Sequence, residues 1–142
     1  EQIVALIQKG TSGIVSADPV IVSSAAILAG GPVTIIEAQG PNTVILVLAA
    51  YYTLGIGTVY TATDSLSTGL YIGGVAVDQG DNSVETGGGG TIISGSGLTA
   101  PLANATGLVN QPVVWANNGP GSWINGTAPL TVAVVYAVFN VG

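Results

Sequence analysis

Residues 128–142, "APLTVAVVYAVFNVG", carry no charged side chain. As a β-strand, this stretch turns Leu130, Val132, Val134, Tyr136 and Val138 to one side. It turns Ala133, Val135, Ala137, Phe139 and Val141 to the other. Both sides are apolar or small. A surface antiparallel sheet normally keeps one polar face toward water. The stretch therefore predicts a strand covered twice, once by the chain's own core and once by a further sheet layer or a neighbouring subunit. Ala133 and Ala137 are small enough for close approach, and Val135 marks the second face as an expected interface position.

The rest of the chain fits such a strand. Its 142 residues make one ordinary domain. Hydrophobic residues make up 48% and charged residues only 6%, against about 25% in a typical globular domain. Disordered chains have the reverse balance, so this one folds. Its few charges leave much of the surface to be covered by copies of itself or by a partner, or else solvated by Ser, Thr, Asn, Gln and Gly. The net charge is −6 and Lys9 is the sole cation, which argues against nucleic acid and against anionic membrane surfaces. Residues 38–63 are uncharged, but short apolar runs, separated glycines and β-branched residues there read as strands and a turn, not a membrane helix.

Working back from the closing strand, "NNGPGSWINGTAP" (117–129) is a long turn region, and "QPVVWAN" (111–117) and "TIISGSG" (91–97) are short strands. "DQGDNSVETGGGG" (78–90) is a polar loop. "GLYIGGVAV" (69–77) reads as one strand with a bulge or close approach at Gly73 and Gly74. "TVILVLAAYYTL" (43–54) is the longest apolar strand, and "GIG" breaks it before "TVYTA", giving a hairpin or a bulged bend. "QGPN" (39–42) is a turn, "PVTIIEA" (32–38) a strand, and "SSAAILAGG" (23–31) one helical turn with Ser as N-cap and Gly as stop. "DPVIVSS" (18–24) is a strand, and residues 1–17 form an extended N-terminal arm. These elements predict an all-β fold: a single β-sandwich of jelly-roll type over 18–142, preceded by the arm.

The chemistry available is narrow. His, Cys and Arg are absent, which removes Ser-His-Asp and Cys-His catalysis and the usual ligands of zinc, haem and thiolate clusters. No catalytic residue and no cofactor is expected. Asp78, Asp81, Asn82 and Glu85 are calcium candidates by oxygen count, but their spacing is not that of an EF-hand, and they also read as a solvated loop. Any two of Asp64, Asp78, Asp81 and Glu85 offer the carboxylates of a glycosidase, with nothing to place them across a cleft. "TGGGGT" (86–91) offers backbone N–H groups to an anion or, more simply, a loop tip. Trp115 and Trp123, with the tyrosines, offer a sugar platform or ordinary core and interface packing. Asn104 and Asn125 head glycosylation sequons.

Residues 22–74 carry "VSSAAIL", then an apolar strand, a Gly-x-Gly loop and a bend with Gly57, Thr58, Tyr60 and Thr61. Residues 110–142 carry "NQP", a Gly/Asn loop and a Gly-Thr-x-x-Leu-x-Val-x-Val-x-Tyr strand. Over 22–77 and 110–142 the chain resembles small β-rich virion proteins of tailed bacteriophages. The arm and the glycine loop at 86–90 depart from that pattern. The resemblance implies a capsid decoration or head-fibre protein on the outer capsid surface, assembled as a homotrimer and bound to a major capsid protein. Two other functions fit the same residues. One is the subunit of an extracellular filament, an open-ended homopolymer in which one copy's arm completes the next copy's sheet. The other is a carbohydrate-binding β-sandwich. The expected contacts are the arm residues Ile3, Val4, Leu6 and Ile7, together with Trp123 and Val135.

Overall fold

In the computed structural model, which describes residues 11–79, 92–95 and 107–142, almost all regular structure is antiparallel sheet. The strands are β1 (Thr11–Ser16), β2 (Val20–Val22), β3 (Val33–Ile36), β4 (Thr43–Leu54), β5 (Thr61–Ala62), β6 (Thr68–Ile72), β7 (Val75–Gln79), β8 (Ile92–Gly95), β9 (Val113–Asn117), β10 (Trp123–Ile124) and β11 (Leu130–Asn140). A helix, α1 (Ser24–Ala29), joins β2 to β3. The all-β sandwich expectation holds.

One sheet runs β1-β11-β4-β8, with β2 also paired to β11; the other runs β3-β9-β6-β7. We call them sheets A and B. The long connections alternate between the two, so each sheet is woven from distant parts of the chain. A two-stranded piece, β5 with β10, closes one end. The faces of A and B that meet share one apolar cluster, including Val22, Tyr52, Leu54, Leu130, Val132 and Val134 from A and Ile35, Leu70, Ile72, Val113 and Trp115 from B.

The closing stretch is β11, the central strand of sheet A. It pairs with β4 along its whole length, from Leu130 opposite Leu54 to Asn140 opposite Thr43. The register skips Leu48, a bulge that flips the phase of β4. On the other side of β11, β2 pairs with Leu130–Val132 and β1 with Val135–Phe139. The Ala17 N–H donates to the Val134 carbonyl (2.9 Å), so β1 and β2 form one edge strand interrupted at Asp18-Pro19. Sheet A thus begins at Thr11, and residues 11–16 of the expected arm are extended but belong to the sandwich.

Two turns differ from the sequence-based expectation. Residues 69–77 are not one bulged strand but the hairpin β6–β7, reversing at Gly73-Gly74 with φ 55° and 81°. Positive φ at both central positions is the type I′ geometry that matches strand twist, and two glycines adopt it without a Cβ penalty. The segment after β4 does not fold back on it. The Gly55 N–H donates to the Pro129 carbonyl (2.7 Å) and the Thr58 N–H to Thr127 Oγ1 (2.9 Å), which carries the chain past β11's start to pair β5 with β10. The helix follows its signals. Ser23 Oγ accepts from the Ala26 N–H (3.2 Å), Gly30 closes the helix at φ 81°, and Ile27 enters the core.

Candidate assembly surface

The register of sheet A separates its two faces. Residues directly opposite each other in a ladder share a side. Leu130, Val132 and Val134 lie beside Leu54, Tyr52 and Ala50, and all six are buried inside the sandwich. The intervening residues face outward: Thr131 with Thr53 and Ile21, Ala133 with Tyr51, Val135 with Ala49 and Ser16, and Ala137 with Leu46 and Ile14. No charged residue occurs in this set. Several members stand well clear of the surface: Ile14 is 75% exposed, Ile21 67%, Tyr51 44%, and Leu48 at the bulge 38%. Val135 is half-buried in their midst, on the side that the sequence assigned to it. Single exposed hydrophobic residues are ordinary, but a contiguous uncharged patch on one sheet face marks a contact surface.

The outer face of sheet B is different. Tyr71 lies opposite Val114 and so on the outer side, since the neighbouring Leu70–Trp115 pair points into the core. Yet Tyr71 is only 4% exposed and Ala116 5%. The Tyr71 hydroxyl is also engaged, with the Ser67 carbonyl and with Ser67 Oγ.

A second feature lies at the seam of the sandwich, between the edge of sheet A (β1 and β2) and the edge of sheet B (β3). There a groove of about 420 Å³ opens, walled by Val15, Val20 and Tyr136 from A and by Ile35 and Ile36 from B. Asp18 and Glu37, both exposed, stand on its lining. Asp18 interrupts the edge strand of A, and Glu37 follows β3 directly. Among the described strands, β1, β2 and β3 each have a neighbour on one side only. Sequence reading had no signal for this pair, because it depends on two edges that are adjacent only across the fold.

The remaining expected sites separate clearly. Trp123 is not a contact residue: it is 2% exposed and its indole N–H donates to Thr68 Oγ1 (3.0 Å). The turn region around it folds inward because β10 caps the end of the core. Trp115 is also wholly buried, so neither tryptophan offers a face on which a sugar ring can stack. Ile3, Val4, Leu6 and Ile7 lie outside the described residues, as do Asp81, Asn82, Glu85, the glycine run and Asn104. The backbone of Asp78 belongs to β7. No group of three or more acidic side chains converges among the described residues. Asn125 is exposed in a turn at φ 64°. Tyr60 is buried at the closed end, where its hydroxyl donates to the Ala128 carbonyl (2.7 Å). Burial raises its pKa above the usual tyrosine value, and a hydrogen bond with the Ser24 side chain opposes that shift.

Among the described residues no helix is long and apolar enough to cross a membrane. Compared with models of protein families, with curated proteins and with solved structures, the chain matches none.

Proposed function

We propose that this chain is a structural, non-enzymatic protein that works by assembly: a virion protein of the capsid decoration type, stabilising a shell through apolar subunit contacts. The observation that carries this reading is the outer face of sheet A, uncharged and centred on Ile14, Ile21, Tyr51 and Val135. A second copy of the chain is its occupant. None of the residues that form this face is charged, so two copies meeting through them bring no like charges together. Burial of such a patch gains about 25 cal/mol per Å2, offset by the cost of association. Contacts made only in the assembled state stabilise it by mass action.

The strand order supports a jelly roll. With β1 and β2 counted as one edge strand and the two-residue strands β5 and β10 set aside, the eight remaining strands lie as 1-8-3-6 and 2-7-4-5. That interleaving of two four-stranded sheets is the order expected of a jelly roll, an architecture shared by many capsid components and some lectins. A trimer on a capsid axis, bound to a major capsid protein, is the corresponding assembly. Light scattering across a concentration series tests it: a discrete oligomer is expected, reduced to a monomer by Val135→Asp. A wild-type monomer at every concentration refutes self-assembly.

A specific observation favours a second reading. The groove between the open edges of β1, β2 and β3 suits strand addition, in which a segment of one copy completes the next. This is the extracellular filament, and mass that grows without limit in the same experiment replaces the closed shell component with it.

A further inference from the structure

The groove at the seam of the sandwich has a definite chemical character. Its walls mix apolar side chains with Ser16 and Gln39, and the two charges on its lining are both negative, Asp18 and Glu37. The chain has a single cation, Lys9, and it lies two residues after a run whose apolar positions are Ile3, Val4, Leu6 and Ile7. We infer that the groove between β1/β2 and β3 receives residues 3–9 of a second copy, with Lys9 placed against Asp18 and Glu37. This rests on the strand-addition reading and names its acceptor site.

The charge match is specific to this groove. A segment with several apolar side chains and one ammonium matches a groove that offers Val15, Val20, Ile35 and Ile36 together with two carboxylates, and no other positive residue exists to fill that role. The groove also runs beside two sheet edges, so an extended segment has backbone partners available as well as side-chain contacts.

The direction of β1 bears on whose segment it is. Thr11 pairs with Phe139, while Ala17 is bonded to Val134, five positions along β11. At about 3.4 Å per residue, Thr11 therefore lies roughly 17 Å from the start of the Asp18 corner. Lys9 precedes Thr11, so a chain continuing along β1 leads away from its own Asp18, and the same copy's ammonium reaches that corner only by doubling back at Gly10. The segment is therefore assigned to another copy, and isotopic mixing separates the two cases.

The single lysine makes the test clean. Full-length protein in two forms, natural-abundance and nitrogen-15 labelled, is mixed under conditions where light scattering shows assembly. It is then treated with a zero-length carbodiimide, which joins an amine to a carboxylate with loss of water. After digestion, mass spectrometry is expected to find Lys9 linked to Asp18 or Glu37, with about half of the linked peptides carrying one label from each form. Lys9→Glu lowers the association constant by about fivefold, the upper range for an exposed ion pair. The exchange Lys9→Glu with Asp18→Lys restores it, and Asp18 is exposed, so its replacement preserves folding. An assembled protein that gives no such linkage, or linkage only within one isotopic form, overturns the groove assignment and leaves assembly by the outer face of sheet A. A wild-type protein that stays monomeric overturns both.

Discussion

The two outer faces of this sandwich are built from the same kinds of residue and end in opposite states. Tyr51 on sheet A and Tyr71 on sheet B both point away from the shared core, each in the middle of its sheet. Tyr51 is 44% exposed and Tyr71 is 4% exposed. Around Tyr71 and Ala116 the outer face of sheet B is closed within the chain, and the Tyr71 hydroxyl is bonded there to Ser67. Sheet A leaves an apolar face uncovered. An outer face therefore has no fixed relation to solvent in a chain this poor in charge, and the uncovered one is where the proposed assembly would act.

The strongest way to break the comparison lies within β11 itself, at two adjacent valines. Val134→Asp buries an unpaired carboxylate at a position 1% exposed and should cost about 5 kcal/mol or more, comparable with the whole stability of a small domain. Circular dichroism and thermal melting should find no folded protein. Val135→Asp, one residue along, should cost about 1 kcal/mol in the monomer and abolish association by the face. Equal damage to folding from both would mean that the outer face of sheet A is a second core.

The tyrosine pair sharpens the contrast between sheets. Tyr71→Asp should destabilise by about 4–5 kcal/mol, because its carboxylate replaces a buried, hydrogen-bonded ring. Tyr51→Asp should leave the melting temperature nearly unchanged and reduce assembly mass. Denaturant titration of both variants, with light scattering in parallel, separates the two effects. Trp123→Ala comes next, at about 3–5 kcal/mol from the lost packing of a fully buried indole. It should lower stability without any change specific to association, in contrast to an interface tryptophan.

The smallest effect is one of pH. The folded-state pKa of Tyr60 is raised, so its neutral form is favoured by folding. Its contribution is complete below the unfolded value, about 10, and is lost as pH rises through the higher folded value. Denaturation midpoints should fall in that alkaline range, and Tyr60→Phe should flatten the slope. An unchanged slope would assign the alkaline loss to other groups.

Much of the fold was legible from local pattern. Thr43–Leu54 reads as an uninterrupted strand because every position is apolar, small or β-branched, and it is one. Ser23 and Gly30 bracket α1 because a hydroxyl and an αL residue satisfy helix ends from within the same turn. In sequence Gly73-Gly74 reads as a bulge or a close backbone approach, since two glycines permit several backbone paths and only the pairing of β6 with β7 selects the turn. Trp123 was misplaced for a related reason. Its surroundings in sequence are Gly, Ser, Asn and Pro, the composition of an exposed loop, while its burial comes from Thr68 and the core, about fifty residues away.

The sequence by itself determined the class: charge-poor, β-branched segments punctuated by Gly, Pro and Asn can only bury their apolar surface as packed sheets. It also showed that β11 carries two apolar faces. The tertiary structure decided which side is core, which outer face stays open and that Asp18 and Glu37 line one groove at the seam. These depend on ladders such as Thr11 with Phe139 and on the bulge at Leu48, which shift the phase of whole strands. A two-residue period specifies that a strand has two faces, and only its distant partners specify what each face meets.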